Sequence, residues 1–117
     1  MKRFPGGSQG RCAAVAAGGL VYAVATDPYC AAGIAAQTRN TLQELERLLV
    51  EAGSGKRGLL QATVYLSDIA AKPEMDSVWC DWIGGEENWP QRACVGVDLD
   101  TGYLIEVVVV AALLQDR

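Results

Sequence analysis

Histidine is missing from all 117 residues of this chain. No Ser-His-Asp or Cys-His arrangement can therefore form within it. A general base working near neutral pH must be a carboxylate, lysine, tyrosine, cysteine or a positioned water. The chain also lacks G-x-x-x-x-G-K-[ST], which excludes a P-loop. Its four cysteines, Cys12, Cys30, Cys80 and Cys94, make no C-x-x-C pair. A zinc site would need sulfur or carboxylate ligands alone, with no supporting spacing, so no metal is expected. Basic charge is sparse: ten Lys and Arg stand against fourteen Asp and Glu, a net charge of −4. The basic residues are scattered, and Lys56-Arg57 is the densest internal pair. That argues against nucleic acid, whose backbone calls for clustered Lys and Arg. Long apolar runs are missing too. Leu104-Ile105 and residues 107–114, split by Glu106, fall far short of the roughly 20 needed to cross a bilayer. Residues 1–10 carry two charges with no apolar stretch behind them, so no signal peptide is read. The expected location is the cytosol, with the cysteines as reduced thiols, mostly small buried apolar groups.

What is present reads as one globular domain over residues 1–117. Half of the residues are apolar, which argues against disorder. Pro5-Gly6-Gly7 makes the first residues a loose lead-in. Two short apolar runs, 12–17 and 20–26, flank Gly18-Gly19 and predict a β-hairpin. Asp27-Pro28 breaks the second strand. Over residues 31–52 the period changes: Ile34, Thr38, Leu42, Leu45, Leu48, Leu49 and Ala52 recur three or four apart, as one face of a helix. Gly53 ends that helix. In residues 59–66, Ala62, Val64 and Leu66 alternate with Gln61, Thr63 and Tyr65, which predicts a strand. Pro73 opens a second helix with Met75, Val78, Trp79 and Trp82 as its apolar stripe. Residues 92–99 and 103–113 are the last strands, and Asp100-Thr101-Gly102 predicts a hairpin between them. The order is β-β-α-β-α-β-β, an α+β fold. The last two strands are apolar on both faces. Helices can cover one face, so the other is expected to pack on another subunit.

Two charges sit inside apolar strands, Arg92 and Glu106. An unpaired buried ion costs several kcal/mol, so each needs a partner, water or a ligand. If the last two strands pair as a hairpin, Gly96 lies opposite Glu106 and Cys94 opposite Val108. Arg92, Cys94, Gly96 and Glu106 then share one face. Arg92 and Glu106 would stand about 13 Å apart, too far for a tight salt bridge but a fit for a small ligand between a cation and a carboxylate. Gly96 would leave space beneath Glu106. A structural pair, or an Arg92 that reaches water at a strand end, fits the same residues.

At these residues the chain resembles a known family. Trp89-Pro90-Gln91-Arg92-Ala93-Cys94-Val95 is similar to the P-x-R-x-C-V signature of the Rid (RidA/YjgF-like) proteins. Tyr103-Leu104-Ile105-Glu106-Val107, followed by Val110-Ala111-Ala112, resembles the family's closing strand. Gln37-Thr38, the helix over residues 42–53, residues 62–68 and residues 75–82 fit in register between them, and the Q-T and V-W-x-x-W features resemble the YoaB-like branch. The resemblance implies a chorismate-mutase-like fold, related to the ferredoxin-like one, with a mixed sheet and two helices on one face. It also implies a homotrimeric barrel with ligand clefts between subunits, and no cofactor. It implies hydrolysis of reactive enamines and imines, such as 2-aminoacrylate, to 2-keto acids and ammonia. Arg92 would hold the substrate carboxylate, Glu106 would position the attacking water, and Cys94 would line the cleft with its backbone on the ligand. A non-catalytic trimer binding small carboxylate metabolites is the alternative. RNA cleavage, also implied by the family, fits poorly with the acidic charge and the missing histidine. Three positions depart from the family. Cys12 stands where active members have a tyrosine, Ala25 replaces a glycine at the end of the second strand, and Asp76 replaces an asparagine. Cys12 and Ala25 would shape the substrate site.

Overall fold

A computed structural model describes residues 1–114. The strands are β1 (Lys2–Pro5), β2 (Cys12–Ala17), β3 (Leu20–Ala25), β4 (Leu59–Leu66), β5 (Gln91–Gly96) and β6 (Ile105–Ala112). Helix α1 (Ile34–Glu51) lies between β3 and β4, and α2 (Lys72–Ile83) between β4 and β5. The six strands form one sheet in the order β1-β2-β3-β6-β4-β5.

The predicted β2–β3 hairpin forms. Gly18 and Gly19 both take positive φ, 60° and 81°, the pair of angles a tight turn of this hand demands and that glycine supplies without strain. Lys2–Pro5, read from sequence as a lead-in, instead adds an antiparallel edge strand beside β2. Lys-Arg-Phe-Pro has no strand pattern of its own. Pairing with β2 overrides it, Phe4 is buried in the core, and Pro5 sits where the register shifts.

Helix α1 begins at Ile34 rather than at residue 31. The cause is Asp27, which is fully buried and accepts hydrogen bonds from the Tyr29 and Ala31 N–H groups at 2.7 and 2.9 Å. Asn40 Nδ2 also donates to Asp27, at 3.2 Å. These bonds hold residues 27–31 as a loop and delay the helix. The predicted stripe is buried: Leu42, Leu45 and Leu49 are fully enclosed with Ala62, Val64 and Leu66 of β4 and Val107 of β6. Burying each large apolar side chain stabilises the fold by about 1.5–3 kcal/mol before chain entropy opposes it.

The expected hairpin of the last two strands is not formed. The α2 crossover brings β5 back parallel to β4, with Val64 beside Cys94 and Leu66 beside Gly96. Residues 97–104 then carry the chain past β4, and β6 inserts antiparallel between β3 and β4. A local turn at residues 100–103 survives, with Tyr103 N–H donating to Asp100 O at 3.0 Å, but it does not join paired strands.

Both helices pack on one face of the sheet. The opposite face carries Tyr22, Val95 and Val108, all well exposed, with Val24, Tyr65 and Val110 between them. The sheet of the single chain is open at both edges and does not close into a barrel. Among the described residues, no helix is long and apolar enough to cross a membrane.

Candidate functional site

Register decides where the two strand charges go. Ala62 pairs with Arg92 and with Val109, so Arg92 shares the helix-covered face with Ala62, Val64 and Val107. Tyr65 pairs with Glu106, which places Glu106 on the uncovered face. The expectation that Arg92, Cys94, Gly96 and Glu106 share one face is thus overturned. Their strands are separated by β4, and two strand spacings plus three residues of rise put the Arg92 and Glu106 Cα atoms roughly 14 Å apart.

Gly96 has another purpose than making space beneath Glu106. A Cβ built there would come within 3.1 Å of the Ile69 Cβ. Glycine lets the turn that precedes α2 lie against the edge strand.

Glu106 is one wall of a cleft of about 620 Å³ at the end of β2, β3 and β6. Cys12 and Ala25, the other positions expected to shape a site, line the same cleft. Sequence reasoning missed two more of its residues. Tyr103 enters from the loop before β6, and Arg11 from the loop before β2. Gln37 fixes that first loop. Its buried amide donates to Ala31 O and Gly102 O at 2.9 and 2.8 Å, and its Oε1 accepts from Leu104 N–H at 2.9 Å. The amide bridges 65 residues of sequence to the turn that leads into Glu106. The sequence pattern sets Gln37 off the apolar stripe, but the structure buries it in the first turn of α1 beside Ile34, Thr38 and Thr41.

Arg92 and Cys94 form a second cluster, beside α2. The Arg92 guanidinium lies 5.1 Å from the centre of the Trp79 ring and donates from Nη2 to Asp76 Oδ1 at 2.6 Å. Asp76 Oδ2 accepts from Lys72 Nζ at 2.8 Å. Burial acts to raise the Asp76 carboxyl, but the hydrogen bonds and charges of Lys72 and Arg92 outweigh it and hold the group below its ordinary range. Burial pushes the Cys94 thiol up, against the pull of Arg92 and Lys72. Cys94 is therefore a neutral thiol at pH 7 and a poor nucleophile. Among the described residues, no group of three or more Cys, Asp or Glu side chains is arranged to hold a metal ion.

A mixed six-stranded sheet with two helices on one face and a cleft at the strand ends defines a known class of small α+β protein. The structure of NMB1025 from Neisseria meningitidis, a member of the YjgF protein family, superposes with a TM-score of 0.91 at 29% identity, covering 98% of this chain and 96% of that one. Rv2704 from Mycobacterium tuberculosis, of the YjgF/YER057c/UK114 family, superposes with a TM-score of 0.85 at 28% identity, covering 96% and 98%. Residues 9–113 match the family described as endoribonuclease L-PSP. A RutC family protein of Haemophilus ducreyi is 33% identical over 78 residues, 66% of each chain. The RutC family protein YoaB of Escherichia coli is 33% identical over 78 residues, 66% of this chain and 68% of that one. The matched stretch thus spans about two thirds of the length of these curated relatives. The chain belongs to this family, the RidA/YjgF proteins.

Proposed function

We propose that this protein is a Rid-type deaminase that hydrolyses reactive enamines and imines of the 2-aminoacrylate type to 2-keto acids and ammonia. The observation that carries the reading is the pair of charges inside apolar strands, Arg92 beside Asp76 and Trp79 and Glu106 in the wall of the cleft, the two facing opposite sides of the sheet. Side chains on opposite faces of one sheet cannot grip one small ligand. They can do so across a subunit boundary, where the Arg92 cluster of one copy meets the Glu106 cleft of the next. The uncovered apolar face around Tyr22, Val95 and Val108 supports such an assembly, because a trimer would bury it.

In that cleft Arg92 holds the substrate carboxylate through its planar fork. Glu106 positions a water and accepts its proton as the water oxygen bonds to the imine carbon. That proton passes to the nitrogen, Glu106 takes the remaining hydroxyl proton as the C–N bond breaks, and ammonia leaves a 2-keto acid. A protonated imine is already a good electrophile, so the reaction calls on no histidine, metal or cofactor. Cys12, Ala25 and the backbone at Cys94 shape the cleft around the ligand.

The test generates an imino acid with an amino-acid oxidase and traps it with semicarbazide. Faster keto-acid release on adding this protein supports the deaminase. No acceleration, with a keto acid still bound at Arg92, supports the alternative of a non-catalytic carboxylate binder.

A further inference from the structure

Arg92 does not offer a bare guanidinium. Its Nη2 is already engaged by Asp76 at 2.6 Å, and its Nη1 lies 3.9 Å from Met75 Sδ. A bidentate grip needs two parallel N–H groups on one edge of the fork. A ligand carboxylate arriving there meets a resident carboxylate of the same chemistry on one of the two nitrogens. The Asp76 side chain is 31% exposed and the Arg92 side chain 18%, so the pair sits where a ligand can reach it. Lys72 holds the second oxygen of Asp76, which gives the aspartate a place to remain when Arg92 turns to a ligand.

We propose that Asp76 is an intramolecular rival for the ligand's carboxylate and so sets the affinity and charge selectivity of the Arg92 site. With the site empty, Asp76 satisfies Arg92. With a ligand bound, its negative charge remains close to the ligand's. Ligands of net negative charge, such as the keto-acid product, are disfavoured relative to zwitterions, such as a protonated imine that still carries its carboxylate. The inference rests on the reading of Arg92 as a carboxylate anchor and not on the hydrolytic step. The contrasting role is a strut, in which Asp76 only orients Arg92. The two roles predict opposite signs.

Pyruvate serves as the probe, titrated calorimetrically at neutral pH and low salt into the full chain as wild type, Asp76→Asn, Asp76→Ala and Arg92→Ala. A rival predicts that Asp76→Asn binds pyruvate roughly tenfold tighter than wild type, the scale set by one like charge within about 4–6 Å. The gain should shrink at high salt. Arg92→Ala should lose binding. Asp76→Ala carries the comparison if the Asn variant does not fold, since either change removes the charge. Equal or weaker binding by the Asp76 variant, with binding still lost in Arg92→Ala, overturns the rivalry and leaves the anchor standing. Pyruvate binding that ignores Arg92→Ala, or no binding by any form, overturns the anchor and the rivalry with it.

Discussion

Arg92 and Glu106 project from opposite faces of one sheet, with β4 between their strands. Each must therefore be tested both alone and in combination. Losing one charge-assisted hydrogen bond costs about 1.5–3 kcal/mol, so removing the whole fork in Arg92→Ala should lower kcat/KM by at least about tenfold to a hundredfold. Arg92→Lys should recover only part of this, because an ammonium cannot reproduce the planar fork or its stacking on Trp79. Semicarbazide-trapping kinetics checks both. Equal activity of wild type and Arg92→Ala would end the assignment.

Glu106→Gln keeps the side chain's shape and removes the base. It should lower kcat more than it weakens pyruvate binding. If each site joins Arg92 of one subunit to Glu106 of its neighbour, a mixture of the two dead variants should regain activity. Unfolding and refolding equal amounts of Arg92→Ala and Glu106→Gln together should restore about a quarter of wild-type sites, the chance that both halves of a head-to-tail interface are intact. Recovery no greater than the sum of the separate variants would mean that the two residues serve no shared site.

Light scattering should give three times the 12.4 kDa chain mass. Val108 is exposed at the middle of the uncovered face, on the central strand β6. Val108→Asp should split the assembly and abolish activity while leaving the helix-side core folded, as circular dichroism would report. A wild-type mass near 12.4 kDa would refute the trimer.

Asp76 gives a dependence on pH with a definite sign. Its folded-state value lies below the ordinary 3.8, because Lys72 and Arg92 together outweigh burial. A depressed carboxyl adds stability above its unfolded value, and that stability is lost as pH falls through the folded one. Asp76→Asn should therefore be slightly less stable than wild type at neutral pH, by no more than about 1 kcal/mol for a pair this accessible. The gap should close as the pH is lowered below 3.8. Denaturant melts at several pH values measure it. A gap independent of pH would mean that the ion pair contributes nothing.

The sequence reveals those elements whose pattern is local. Strand β4 falls on the predicted residues, since Ala62, Val64 and Leu66 alternate with polar neighbours, and α1 shows its stripe from Ile34 to Leu49. Strand β1 is hidden, because Lys-Arg-Phe-Pro becomes a strand only through β2. The order of the last strands is hidden for a like reason. Asp100-Thr101-Gly102 has hairpin chemistry, and nothing local shows that β4 lies between β5 and β6. The site followed the same division. Cys12, Ala25 and Glu106 meet in one cleft, but the face on which Arg92 stands depends on a parallel pairing with Ala62 made across the whole of α2.

The sheet order also governs how the chain can fold. Strand β6 joins the block β1-β2-β3 to the block β4-β5, and among the described residues no other strand bridges them. During synthesis the two blocks emerge first, each with an unpaired inner edge along β3 and β4. Neither can complete the sheet until residues 105–112 are available. The closing contacts therefore span large separations in sequence, which slows folding and lengthens the time for which apolar strand edges are open to other chains. A truncation that removes β6 takes away the keystone of the sheet, and its product is two half-sheets prone to aggregate rather than a smaller folded protein.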